Sequence, residues 1–105
     1  MQEIIIGTKT CRSEQNTLHT FQYSVLIRHI PAGRFNFEEY GVAVASQSGD
    51  RVRIPGITHS RTHIDSLITT LMDHTVSPTE LCYVVEDWTK ENHLPQLKPQ
   101  QVAEV

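Results

Sequence analysis

Long apolar runs are missing from this chain. No stretch approaches the ~18 residues that a membrane-spanning helix needs, and Met1-Gln2-Glu3 lacks the positive start of a secretory signal. The expectation is a cytoplasmic protein that does not enter a membrane. Cysteine is scarce as well: Cys11 and Cys82 lie far apart, without the close spacing of a zinc knuckle or a redox dithiol. Both are expected to be reduced thiols, with Cys82 partly buried beside a helical apolar face. Positive charge is not in excess, since nine Lys/Arg against twelve Asp/Glu leave a net charge of −3. General affinity for a nucleic-acid backbone is thereby disfavoured. There is no glycine-rich phosphate loop, and neither cysteine nor Ser24, Ser60 or Ser66 sits in a motif that would hold a base beside it. The adjacent carboxylates Glu38-Glu39 and Glu86-Asp87 point to different faces of whatever element carries them, so no shared catalytic proton is implied. The chain therefore reads as non-enzymatic and needs no cofactor.

What is present is enough for one domain. A chain of 105 residues with 38% apolar content can bury something over about 60% of its unfolded surface around a single core. Glu3-Ile4-Ile5-Ile6 is a short β-branched run that predicts a first strand, and Ser13 to Thr17 reads as the connection after it. From Leu18 the pattern alternates: Phe21, Tyr23, Val25 and Ile27 fall on one side, Gln22, Ser24 and Arg28 on the other. Pro31-Ala32-Gly33 turns the chain, and Tyr40 to Ala45 returns with Gly41 as a bulge or close-approach point. Ser48-Gly49-Asp50 turns it again, and Arg51-Val52-Arg53-Ile54 forms a last strand stopped by Pro55-Gly56.

Two helices follow. Ile64, Leu67, Ile68, Leu71 and Met72 recur at three- and four-residue steps, as do Leu81, Val84, Val85 and Trp88. Ser77-Pro78-Thr79-Glu80 marks the start of the second, with Ser77 accepting from a first-turn amide and Glu80 reaching back to the cap. The linker is too short to carry the second helix far, so the pair is expected to form a hairpin covering one sheet face. The fold class is α+β: a mostly antiparallel sheet of three to four strands, then a two-helix hairpin, over residues 1–93. Residues 94–105, with two prolines and little to bury, read as a tail.

Six histidines invite a metal reading, and His59 with His63 has the four-residue spacing that aligns two imidazoles on a helix. A third ligand would have to come from Asp65 or His74, and no glutamate completes a metalloprotease signature. No metal site is expected; a small metal-dependent hydrolase using His59, His63 and Asp65 is the minor alternative. Charge distribution says more. Residues 1–63 carry seven Lys/Arg against five Asp/Glu, whereas residues 64–105 carry two against seven. Asp73, Glu80, Glu86, Asp87 and Glu91 lie mainly off the apolar stripes and form a candidate contact for a basic protein surface. Arg51, Arg53, Arg61 and His63 are the alternative, a candidate anion or RNA contact, although no aromatic ladder is interleaved to stack bases.

The words Glu39-Tyr40-Gly41-Val42, Asp50-Arg51-Val52, Leu67-Ile68-Thr69-Thr70-Leu71 and Val76-Ser77-Pro78-Thr79-Glu80-Leu81, followed by Val84-Val85-Glu86-Asp87-Trp88, carry a resemblance over roughly residues 20–90. They resemble a family of small uncharacterised proteins of clostridia-like bacteria and their mobile elements. The resemblance implies no catalytic residues. By analogy with small acidic proteins on such elements, it implies an anti-CRISPR-type inhibitor of an RNA-guided nuclease, whose guide and DNA channels are basic. The leading expectation is thus a protein-binding module acting through its acidic helical face, with a sheet edge open to self-association as a homodimer.

Overall fold

The computed structural model describes residues 1–92; the expected tail lies outside the described residues. Four strands, β1 (Gln2–Arg12), β2 (Leu18–Ala32), β3 (Phe35–Ser46) and β4 (Arg51–Thr58), form one antiparallel sheet in the order β1-β2-β3-β4. Helices α1 (Arg61–Asp73) and α2 (Leu81–Glu91) follow. The α+β class and the helix pair packed on one face are as the periodicity predicts.

The register sorts side chains onto two faces. On β2, Tyr23, Val25 and Ile27 stand opposite Val44, Val42 and Tyr40 of β3, and this face meets the helices. Helix α1 lies across all four strands. It inserts Ile64, Leu67, Ile68 and Leu71, while α2 adds Leu81, Val85 and Trp88 to the same core. Burying a side chain of this size is worth about 1.5–3 kcal/mol. That gain, distributed over the stripe, is what holds helices too short to be stable alone.

Helix α1 starts at Ser60, whose hydroxyl accepts from the His63 amide at 3.2 Å. It ends in a Schellman closure: the Thr75 amide donates to the Met72 carbonyl and the Val76 amide to that of Leu71. Thr75 occupies the left-handed position usually held by glycine, at φ 49°. Val76 then turns inward and is buried. Its carbonyl accepts from the Tyr23 hydroxyl at 2.9 Å, so a strand residue in the middle of the core holds the interhelical loop in place.

The cap before α2 is only half as expected. Glu80 Oε1 accepts from the Ser77 amide at 3.1 Å, the reach-back of a capping box, but the Ser77 hydroxyl donates to the same carboxylate at 2.8 Å. Pro78 to Glu80 make a tight turn instead of a first helical turn, with the Leu81 amide bonded to the Pro78 carbonyl.

Three strand boundaries differ from expectation. β1 runs on through Thr8-Lys9-Thr10-Cys11-Arg12, because an edge strand needs backbone pairing with β2 and not an apolar side chain at every second position. β3 begins at Phe35, so the chain turns at Gly33-Arg34 and residues 28–39 form an arm whose side chains are mostly exposed. Pro55-Gly56 does not stop β4. Thr58 pairs with Tyr40 and Ile54 with Val42, so β4 bulges between them, on an edge where proline costs no ladder bond. Gly41 faces that bulge: a Cβ there would collide with the Ile54 carbonyl and Pro55, which is why the position is glycine.

Candidate partner-binding surface

The inward stripe of α2 decides what its other side presents. With Leu81, Val85 and Trp88 buried, Tyr83, Glu86, Asp87 and Lys90, at steps of three, one and three, come round to solvent together. Tyr83 is 73% exposed, a large aromatic ring on the solvent side of the helix. Glu91 is exposed at the helix end, and Asp73 is exposed at the end of α1, on the other helix. The five acidic residues picked out in the sequence do not stand equal. Glu80 is exposed but its carboxylate is committed to the cap through Ser77. Glu86 is paired with Lys90 Nζ at 3.2 Å. Asp73, Asp87 and Glu91 have no ion-pair partner among the described residues. Tyr83 went unnoticed in the sequence; its position two residues after Leu81, off the 81-85-88 stripe, is the signal that could have found it. Cys82 lies off that stripe too and is exposed, not partly buried, while Cys11 is half-buried; neither is in a disulfide.

The four basic residues proposed as an anion contact are not brought together. Arg51 and Arg53 project from β4 on the sheet face away from the helices, alongside Ala45 and Ala43. That face is paved with small residues, Ser24, Gly41, Ala43 and Ala45, across which both guanidiniums reach to the Glu3 carboxylate on β1. Arg53 Nη2 is 3.3 Å from Glu3 Oε1, and Arg51 makes the closer contact with the same oxygen. Next to them Arg28 holds Glu39 at 2.6 Å. These side chains roof the outer face, and Leu26 and Ser24 beneath are 2% and 1% exposed, although alternation assigns them to solvent. Arg61 and His63 are on α1. Arg61 Nε lies 3.8 Å from Asp65, and the His63 ring stands edge-on to Trp88 with centroids 6.4 Å apart.

The histidine pair is likewise separated by its bonds. His59 Nδ1 lies 3.1 Å from the Glu38 carbonyl, whereas the His63 ring stands against Trp88. Among the described residues, no three His, Cys, Asp or Glu side chains are grouped so as to hold a metal ion. A shallow depression on the outer sheet face is lined by Thr8, Thr20, Gln22, Ala45, Ser46 and Gln47, hydroxyls and amides without an acid, a base or a thiol. No described helix is long and apolar enough to cross a membrane.

Fold and surface together define a small α+β protein, a four-stranded antiparallel meander backed by a helical hairpin. A model of a family of unknown function, DUF6514, matches residues 2–91, and the chain belongs to that family. No curated protein and no solved structure matches it.

Proposed function

We propose that the chain is a non-enzymatic protein-binding module that docks a basic partner on the solvent side of α2. The observation that carries the reading is Tyr83, 73% exposed one helical turn from Glu86 and Asp87, with Lys90 and Glu91 a further turn along α2. Tyrosine supplies large contact area at low entropic cost, and aromatic residues dominate the energetics of interfaces. The carboxylates around it set the sign of the partner and speed encounter with it. The Arg51, Arg53, Arg61 and His63 alternative draws less support, since Glu3 already neutralises part of the arginine charge. The specific partner suggested by analogy, an RNA-guided nuclease with a basic channel, is one surface of the required kind. A pull-down from the native host, with and without such a nuclease, tests both levels. Binding that falls steeply with salt and disappears when Glu86, Asp87 and Glu91 are changed to Lys supports the acidic face; binding indifferent to both removes it. Retention of nucleic acid in place of protein would favour the arginine alternative.

A further inference from the structure

β1 is a long edge strand, apolar at Ile4–Ile6, and no other described strand pairs with its outer side. Ile4, Ile5 and Ile6 are 38%, 59% and 46% exposed, although they form the most β-prone run in the chain. Natural edge strands are blunted by proline, by charges, by β-bulges or by a covering element, and β1 carries a bulge at Ile6 together with Lys9, both of which a partner strand must accommodate. β1 contains no proline, and the one carboxylate beside the isoleucines, Glu3, is drawn back over the sheet to Arg51 and Arg53.

The strand also carries a phase reversal. Before the bulge at Ile6, Gln2 and Ile4 stand opposite Ile27 and Val25 and so share the helix-covered face, while Glu3 and Ile5 share the outer face with Leu26 and Ser24. After it, Gly7, Lys9 and Cys11 take the helix side, opposite Tyr23, Phe21 and His19, and Thr8, Thr10 and Arg12 take the outer side. A regular strand added outside β1 would match faces over only one half unless it were bulged too. A second copy brought up antiparallel about a two-fold axis has its own reversal, and the two cancel. Faces then agree along the whole strand in one arrangement: Gln2 opposite Cys11, Glu3 opposite Thr10, Ile4 opposite Lys9, Ile5 opposite Thr8, with Ile6 facing Gly7 at the axis. A slip of one residue sets every such pair on opposite faces. No like-charged side chains meet between Gln2 and Cys11 in this register, and the Lys9 methylenes can lie along Ile4 of the other copy with the ammonium in water.

We propose that two copies of this chain associate through β1 in this antiparallel register, joining their sheets into a continuous eight-stranded one with both helical layers on the same side. The surface is independent of the α2 face. Light scattering on the eluting wild-type chain is expected to give twice the 12.0 kDa of one copy. Ile4→Lys sets an ammonium opposite Lys9 of the second copy and is expected to return the mass to that of one copy; adding Lys9→Glu restores the doubled mass. Register is read by thiol trapping in a Cys82→Ser background, with diamide accepting the two thiol hydrogens. Gln2→Cys is expected to link covalently to Cys11 of the second copy, and Glu3→Cys, out of phase with it, is not. A wild-type mass of one copy at the highest soluble concentration overturns the proposal. A doubled mass unaffected by Ile4→Lys, or equal trapping by both cysteine variants, overturns the interface or its register.

Discussion

Tyr23→Phe removes one oxygen atom from the centre of the protein, and its effect follows from what that atom holds. The Tyr23 ring is wholly buried between sheet and helices, and its hydroxyl donates to the Val76 carbonyl at 2.9 Å in the loop that joins α1 to α2. Phenylalanine keeps the ring and its packing, so no cavity term of note arises. What is lost is the bond, and the buried Val76 carbonyl is left without its donor, a loss of about 1–3 kcal/mol. For a domain of this size each kcal/mol lowers the melting temperature by roughly 4–8 °C. Trp88, the single tryptophan and buried in the same core, reports unfolding by fluorescence. The urea midpoint should fall with the slope unchanged. The same hydroxyl sets an alkaline limit. Burial, with smaller contributions from Cys11 and Glu80, raises the Tyr23 phenol from 10.0 to about 12. The folded state thus keeps its proton where the unfolded chain loses it. The corresponding stability is complete below pH 10 and is lost as pH rises toward about 12. Tyr23→Phe should abolish that part of the slope. A variant within about 0.5 kcal/mol of wild type, or one with the same alkaline slope, would refute the role given to this bond.

Other substitutions test other parts of the account. Thr75→Gly relieves a β-branched residue held at φ 49° and should stabilise by up to ~1 kcal/mol, the αL strain exceeding the entropy cost of glycine; thermal melting checks it. Gly41→Ala forces a methyl into the Ile54 carbonyl and Pro55 of the β4 bulge, backbone that cannot swing aside, and should cost ~1–3 kcal/mol or more, visible as a lowered urea midpoint. In a complex with the partner, Tyr83→Ala should weaken binding by ~2 kcal/mol, roughly 30-fold, without lowering the melting temperature of the free protein, because the ring touches little in the monomer.

Much of the fold was legible because its periods are clean. The alternation from Phe21 to Ile27 and the steps from Ile64 to Met72 and from Leu81 to Trp88 each have one face to bury, and each buries it. The misreadings arise where a residue's environment is set by a distant strand. Pro55-Gly56 reads as a stop, but Gly41 across the sheet makes room for it as a bulge. Ser24 reads as solvent-facing and is roofed by the paired charges Glu3, Arg51 and Arg53, which belong to the two edge strands. Phe35 and Phe37, 68% and 49% exposed on the β2–β3 arm, break the rule that aromatics supply the core. Of the candidate site, the exposure of the acidic residues could be read from the stripe they avoid. The place of Tyr83 beside them could be read from the same stripe, but that Glu80 serves the cap and that Glu86 is paired depend on side-chain geometry that spacing alone does not give.

The central claim, that the solvent side of α2 is where a partner sits, is tested most directly by site-specific photo-crosslinking in the native host. A photoreactive phenylalanine analogue replaces Tyr83 in one chain and Gln47, on the opposite side of the sheet from the helices, in another. The account predicts a discrete protein adduct from position 83, reduced when Asp87 and Glu91 are changed to Lys, and none from position 47. An adduct from position 47 alone, or none from either, would contradict it.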